Sequence, residues 1–136
     1  MSRTYVLDAS AVLNFVEDRA GAERVEQLLG EARRSSAPLL MSVLNWGEVF
    51  YHSWQQRGEE SARRAVADLS RLPIELIAVD LSQAVKAGEF KVVHKIPYVD
   101  CVAAALAEVR QATLVTSDRD FEKLGRHFPI LWISRS

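Results

Sequence analysis

The chain has 136 residues, of which 49% are hydrophobic and 26% are charged, and its formal net charge is −1. This length suits one domain (1–136) with a buried core, and the near-zero charge excludes a bulk basic field for binding nucleic acid. The single cysteine, Cys101, excludes an internal disulfide framework, and no apolar run approaches the ~20 residues of a membrane span. Asp8 interrupts the N-terminal apolar segment, which argues against a signal peptide, so we expect a cytoplasmic protein.

Short apolar runs alternate with amphipathic segments along the chain. In order, the first half predicts strand 5–7, helix 9–16, helix 22–34, strand 39–41, a helix from 43 to about 56, and helix 59–72. The second half predicts strand 74–79, helix 82–94, helix 98–110, strand 113–116, a helical turn at 121–124 and strand 130–133. This alternation favours an α/β fold, a three-layer α/β/α sandwich around a mostly parallel five-stranded sheet. We expect the first strand to be central and beside the fourth.

Caps and apolar faces refine the helices. Ser10 is a plausible cap of the first helix, and Ser42 can cap the helix that follows the second strand. Two helices show an apolar face, formed by Val25, Leu28, Leu29 and Ala32 in one and by Val43, Trp46, Phe50 and Trp54 in the other. We expect Phe50 and Cys101 to be core residues.

Four acidic residues stand where apolar segments end or helices begin. Asp8 and Asp118 follow the first and fourth strands, Asp100 lies in the first turn of a helix, and Glu48 lies within a helix. Ligands of open α/β sheets bind beyond the carboxyl ends of the strands, so these carboxylates can converge there. Four converging carboxylates are hard to keep ionised together without a cation, and the simplest candidate is a hard divalent metal with oxygen ligands.

Each acid also has a structural alternative. Asp8 can cap the first helix, Asp100 can interact with a helix dipole, and Asp118 can be a turn residue. Glu48, at the border of its apolar stripe, can simply be solvated. Possible supporting residues are Ser10, Asn45, Thr116 and Asp120. For the first three, capping or a strand-end hydrogen bond is as good an explanation, and Asp120 is better explained as the cap of the following turn.

The four acidic motifs together resemble those of PIN-domain ribonucleases, and most of all the VapC-type toxins of VapBC toxin–antitoxin systems. The motifs are the segments 5–11, 42–48, 97–104 and 114–121, which carry Asp8, Glu48, Asp100 and Asp118 in that order. The resemblance implies that these acids bind Mg²⁺ or Mn²⁺, and that the protein cuts single-stranded or loop RNA. It also implies a homodimer and a small antitoxin whose C-terminal segment fills a groove and blocks the acids.

On this interpretation a metal-activated water hydrolyses an RNA phosphodiester. We expect Asp8 and Asp100 to hold one ion, with Asp118 and Glu48 completing the site or recruiting a second. Residues that could position phosphates are Lys91, Lys95, Arg119 and Lys123. Two other functions remain open: a non-catalytic PIN-like module for RNA binding or scaffolding, and a phosphate-accepting receiver-type domain. The latter normally has paired acids near its first strand, and Asp8 is single.

Overall fold

A computed structural model describes residues 3–134 of the chain. The strands in this range are β1 (Tyr5–Leu7), β2 (Leu39–Ser42), β3 (Ile74–Ile77), β4 (Thr113–Thr116) and β5 (Ile130–Trp132). The α-helices are α1 (Ala9–Val16), α2 (Ala22–Ser35), α3 (Val43–Arg57), α4 (Glu59–Leu69), α5 (Leu81–His94) and α6 (Tyr98–Val109), and a 3₁₀ turn covers Arg119–Leu124. In this part of the chain, every helix is too short or too polar to cross a lipid bilayer.

The five strands form one parallel sheet in the order β3-β2-β1-β4-β5. Strand β1 is central and pairs with β4, with Leu7 opposite Val115, as the sequence predicts. The backbone N–H of Asp8 extends this pairing by donating to the carbonyl of Val115 at 3.2 Å. The ends of β1 and β4 therefore lie side by side, which brings the segments after them to the same edge of the sheet.

Alternate residues of each strand enter two separate cores, one on each face of the sheet. Val6 and Leu114 pack with α5 and α6, whereas Leu7 and Val115 pack with α1, α2 and α3. Helix α6 is the most enclosed element, since all its residues from Asp100 to Ala107 are buried. Its many alanines let it lie close to the sheet and to α5, and this position fixes its first turn. The predicted three-layer α/β/α sandwich is confirmed.

Several local predictions need correction. Asp8, rather than Ser10, caps α1, because its backbone is extended and its side chain accepts from the N–H of Ala11. Ser42 does cap α3, by accepting from the N–H of Leu44. Helix α4 ends at Leu69 and not at residue 72, since a turn precedes Pro73. Strand β3 ends at Ile77 and not at residue 79, because its pairing with β2 stops at Ile77.

The predicted apolar stripe of α3 is not its core face. The buried residues of this helix are Asn45, Val49 and Ser53. Val43 and Trp54 are exposed, and Phe50 is only half-buried. The aromatic residues are covered on the surface instead: Phe50 packs edge-on against Trp54, and the guanidinium of Arg63 lies over both rings. By contrast, the predicted faces of α2 and the buried position of Cys101 are confirmed.

Candidate metal centre

Asp8 lies between β1 and α1 and is held by hydrogen bonds on both carboxylate oxygens. Oδ1 accepts from the N–H of Ala11 and from Oγ of Ser10, each at 2.8 Å. Oδ2 accepts from Oγ1 of Thr116 at 2.5 Å and from the Ser10 hydroxyl at 2.9 Å. The capping explanation for Asp8 is therefore correct, but it describes only one of these bonds. The remaining bonds fix a buried negative charge at the carboxyl end of the sheet.

A small hydroxyl network ties the end of β1 to the end of β4. Oγ1 of Thr116 lies 3.1 Å from Oγ of Ser10 and accepts from the N–H of Asp118 at 2.9 Å. The Ser10 hydroxyl also accepts from the N–H of Ser117 at 3.1 Å. Both hydroxyls thus lie where the sequence predicts supporting groups. Asn14 joins the network through a 2.9 Å bond to the Ser117 hydroxyl, and its position one turn after Ser10 is the signal that could have identified it.

Three further carboxylates converge at this edge of the sheet. Asp100 is buried in the first turn of α6, and Asp118 caps the 3₁₀ turn by accepting from the N–H of Asp120 at 2.9 Å. One carboxylate oxygen each from Asp100, Asp118 and Asp120 lie within 4.8 Å of one another. The prediction that Asp120 caps this turn is therefore wrong. Asp118 is the cap, and Asp120 lies close to the other acids.

Their spacing fits a small divalent cation. Opposite oxygen ligands of an octahedral Mg²⁺ are about 4.2 Å apart, because each bond is 2.0–2.1 Å. Among the described residues, the group that comes near this spacing consists of Asp100, Asp118 and Asp120, whose oxygens lie within 4.8 Å of one another. Asp8, which the sequence suggests as a principal ligand, accepts hydrogen bonds from hydroxyls and a backbone amide. Ligating carboxylates are themselves usually hydrogen-bonded, so its role as a ligand stays a prediction.

Glu48 supplies an independent indication that this edge of the sheet can bind a cation. Its Oε1 atom is buried and lacks a hydrogen-bond partner among the described residues. A buried carboxylate oxygen without a partner is costly, since it has lost its contact with water. Asn45, one turn earlier on α3, also has a buried Oδ1 without such a partner, while its Nδ2 donates to the carbonyl of Val99 at 3.2 Å. Oxygen atoms of this kind are suitable ligands for Mg²⁺ or Mn²⁺.

The electrostatics agree with the geometry. Burial, assisted by the negative charges of Asp118 and Glu48, raises the pKa of Asp100 to about 7. Burial also raises the pKa of Asp8 to about 6, although the bonds from Thr116, Ala11 and Ser10 oppose it. The pKa of Glu48 is raised for the same reason, burial, with a smaller contribution from Asp118. At neutral pH the acids compete with one another for ionisation, and a cation among them would remove that competition.

The four basic residues near the motifs differ in availability. Lys91 donates to the carbonyl of Ile96 at 3.0 Å. The guanidinium of Arg119 lies 4.4 Å from the centroid of the Trp132 ring and donates to the carbonyl of Ser134. Lys95 and Lys123 are exposed. The exposed pair is thus freer to meet a phosphate than the pair already engaged within the protein.

Comparison with known proteins identifies the family. The sequence profile described as PIN domain matches residues 5–127, and a search of curated proteins found no match. Among solved structures, the chain resembles VapBC-1 from nontypeable Haemophilus influenzae with a TM-score of 0.72 and 21% identity, over 96% of this chain and 98% of that one. It also resembles VapC20 from Mycobacterium tuberculosis, which is described as a sarcin-ricin loop cleaving toxin. The TM-score is 0.66 at 19% identity, and the match covers 90% of this chain and 95% of that one.

A third similar structure is VapBC2 from Rickettsia felis, bound to a DNA fragment from its promoter. Its TM-score is 0.73 at 17% identity, and the match covers 94% of this chain and 97% of that one. At these identities the structural likeness establishes a common fold. The profile match is the stronger evidence, since it covers most of the chain and all four acidic motifs. The protein therefore belongs to the PIN domain family.

Proposed function

We propose that this protein is a metal-dependent endoribonuclease and acts as the toxin of a type II toxin–antitoxin pair. The observation that carries the proposal is the convergence of Asp100, Asp118 and Asp120 within 4.8 Å. Glu48 on α3, whose buried Oε1 has no hydrogen-bond partner among the described residues, is close enough for its charge to raise the pKa of Asp100. A non-catalytic PIN-like module would have no use for this many acids at one edge of the sheet, because burial and the neighbouring negative charges raise the pKa of Asp100 to about 7.

In the proposed site, Asp100, Asp118 and Asp120 hold Mg²⁺ or Mn²⁺, and Glu48 completes the oxygen ligands. The ion, when bound, supplies an activated water and neutralises charge on the scissile phosphate. Asp8 adds a fixed negative charge, and the hydroxyls of Ser10 and Thr116 hold its carboxylate in place by hydrogen bonds. The Thr116 hydroxyl also accepts from the backbone N–H of Asp118 and so helps to position that residue. Exposed Lys95 and Lys123 are the better placed of the basic residues to meet RNA phosphates.

The proposed antitoxin would cover the apolar surface next to these acids. Leu44 and Tyr51 are 46% and 52% exposed, and they lie about one turn before and after Glu48 on α3. A partner segment laid along this face would pass directly over the acidic site and could block it. Similar chains from Haemophilus influenzae and Rickettsia felis are described as VapBC, which supports this kind of partner. We further propose a cytoplasmic homodimer.

RNA cleavage by the purified protein tests the enzymatic proposal. We expect endonucleolytic cleavage of RNA with single-stranded loops in Mg²⁺ or Mn²⁺, complete loss in EDTA, and recovery when either ion is added in excess. The description of the Mycobacterium tuberculosis neighbour as a sarcin-ricin loop cleaving toxin makes a stem–loop RNA the first substrate to use. His94→Ala should cleave normally, because this residue packs against Phe90 at the far end of α5. Absence of cleavage at millimolar Mn²⁺ would favour the non-catalytic module.

Growth of a bacterial host tests the toxin proposal separately. Induced expression of the chain should arrest growth, and co-expression of its cognate antitoxin should restore it, because the antitoxin covers the acids. Expression of Asp100→Asn at the same level is the matched control and should be harmless. If the wild type proved harmless while the purified protein cleaved host RNA, the nuclease proposal would stand and the toxin proposal would fail.

A further inference from the structure

The side chains of Arg119 and Trp132 form a stacked pair next to the acids. Arg119 stands between Asp118 and Asp120 in the chain, and its guanidinium lies 4.4 Å from the centroid of the Trp132 ring. The guanidinium also donates to the carbonyl of Ser134 at 3.1 Å, so a second contact holds it there. We refer to Arg119 and Trp132 as the stacked pair.

The positive charge of Arg119 is not paired with the acids beside it. Although two aspartates flank it in the chain, none of the ion pairs formed within residues 3–134 includes Arg119. Pairing with a carboxylate would be the ordinary arrangement for an arginine at a crowded acidic site, because opposite charges stabilise each other. The contact of this guanidinium with the indole ring therefore needs another explanation.

Trp132 lies at the edge of the sheet where the acids converge. In the pairing of β4 with β5 it stands opposite Thr116, whose hydroxyl donates to the carboxylate of Asp8. Neighbouring strands are about 4.8 Å apart, so Trp132 is one strand away from a residue that holds Asp8. Its ring packs on the same face of the sheet as α6, which carries Asp100 in its first turn. A nucleotide whose phosphate meets the acids can therefore reach the stacked pair with its base.

An open groove continues from Trp132 along β5. It is lined by Phe121, which is buried, by the half-buried Phe128 and Ile130, and by the exposed Arg126. Its volume of about 490 Å³ lies within the ~300–1,000 Å³ that is usual for small-ligand sites. Aromatic walls beside an exposed arginine suit a flat ring that is attached to a negatively charged backbone.

An unpaired base of RNA has this combination of properties. Its two faces stack on aromatic rings and on guanidinium planes, and its backbone is anionic. A base inside a duplex has both faces covered by its neighbours, so it cannot stack on the protein. Stacking tolerates different bases, because every base has a π-face. A stacking site of this kind therefore selects an unpaired nucleotide rather than one particular base.

We infer that the stacked pair binds an unpaired base of the RNA next to the phosphate that is cleaved. The inference rests on the nuclease of the proposed function and identifies residues that position its substrate. Arg119 and Trp132 hold the base, while the exposed Lys95 and Lys123 are left to meet phosphates. Holding one base in this place determines which phosphate of the loop lies over the acids.

Binding of a stem–loop RNA to the full chain, measured by fluorescence anisotropy in EDTA at low salt, tests the inference without cleavage. Each loop nucleotide is replaced in turn by an abasic one, which keeps the phosphate and removes the base. For the wild type, we expect at least one loop position at which this change raises Kd at least about fivefold, the lower end of what base–aromatic stacking contributes. In Trp132→Ala the same abasic RNA should bind as tightly as the intact RNA, because the base has lost its partner.

Two conservative variants separate stacking from charge and from folding. Trp132→Phe keeps an aromatic ring and should retain most of the difference between intact and abasic RNA. Arg119→Lys keeps the charge but lacks the guanidinium plane, and it should reduce the difference. Trp54→Ala is the matched control, because Trp54 also lies beneath an arginine, Arg63 at 5.7 Å, but near the end of α3. It should keep the wild-type difference.

A purely structural role of the stacked pair, holding β5 against the 3₁₀ turn, predicts another result: each variant would weaken intact and abasic RNA by the same factor. That result, or a wild type that binds no abasic RNA more weakly than the intact one, would overturn the inference. Cleavage in Mn²⁺ is measured on the same samples. A wild type with the base-dependent difference but without cleavage supports the stacked pair and contradicts the nuclease, whereas cleavage without that difference overturns the stacked pair alone.

Discussion

Asp100→Asn should abolish RNA cleavage at ordinary Mg²⁺ concentrations. Mutation of residues that only support metal ligands typically lowers metal affinity or activity 10–100-fold. Loss of a ligand itself should therefore lower the cleavage rate by at least about 100-fold. Asparagine has nearly the same shape as aspartate but lacks the charge that attracts the ion. Asp8→Asn should cause a comparable loss by a different route, because an amide nitrogen cannot accept the hydrogen bonds that the Thr116 and Ser10 hydroxyls donate. Single-turnover cleavage of a stem–loop RNA measures both effects.

Asp68→Asn is the matched control for charge removal alone. Asp68 is exposed on α4 and pairs only loosely with Arg71 at 3.6 Å, so this variant should cleave at the wild-type rate. High Mn²⁺ should restore part of the activity of Asp100→Asn if the remaining oxygens still hold an ion weakly. Full cleavage by Asp100→Asn at ordinary Mg²⁺ would refute the assignment of this residue.

Asp100→Asn should stabilise the metal-free protein at neutral pH. Two carboxylates ~5 Å apart repel by roughly 3 kcal/mol at an effective dielectric constant of ~20, and Asp100 faces several of them. In EDTA we therefore expect Asp100→Asn to raise the free energy of unfolding by about 1–3 kcal/mol. Mg²⁺ binds only the folded state and should raise the melting temperature of the wild type more than that of the variant.

The alternative role of Asp100, a charge near the positive end of a helix dipole, predicts the opposite sign. Asparagine would then cost about 0.3–1 kcal/mol whether or not metal is present. Thermal melts of wild type, Asp100→Asn and Asp68→Asn, in EDTA and across a Mg²⁺ series, separate the two. A loss of stability in Asp100→Asn that does not depend on metal would favour the dipole role.

Metal-free stability should also depend on pH with a defined sign. The pKa of Asp100 is raised from 3.8 to about 7 in the folded protein, so folding favours its protonated form. Its contribution to stability is fully present below its unfolded pKa and is lost as pH rises through about 7. Asp8, whose folded pKa is about 6, acts in the same direction. In EDTA, wild type should lose stability between pH 5 and pH 8, and Asp100→Asn should lose less.

Much of the architecture was predictable because it follows from local patterns. Buried parallel strands form short apolar runs, and Val6 and Leu7 illustrate why: adjacent residues of one strand enter opposite cores. The convergence of Asp8, Asp100 and Asp118 follows from the rule that sites of open sheets lie beyond the strands' carboxyl ends. Only the pairing of β1 with β4 was needed to bring the first and last of these motifs together.

The details that escaped prediction depend on contacts between distant segments. The aromatic residues of α3 are covered by Arg63 from α4, so their hydrophobicity does not mark the core face. The place of Asp120 beside Asp100 depends on the tight turn that Asp118 caps. Asp8 provides both a helix cap and a buried charge, whereas sequence patterns predict these two roles as alternatives. The hydrogen bond that Thr116 donates to Asp8 joins residues 108 positions apart, so no local pattern predicts it.

The most direct test of the metal site is anomalous diffraction from crystals of the protein grown or soaked in Mn²⁺. We predict a peak bonded to carboxylate oxygens of Asp100, Asp118 and Asp120, with Oε1 of Glu48 in the same oxygen shell and Asp8 behind it, bound to its hydroxyls. The peak should disappear in Asp100→Asn at the same Mn²⁺ concentration. Cleavage-competent crystals without anomalous density among these carboxylates at millimolar Mn²⁺ would contradict the account.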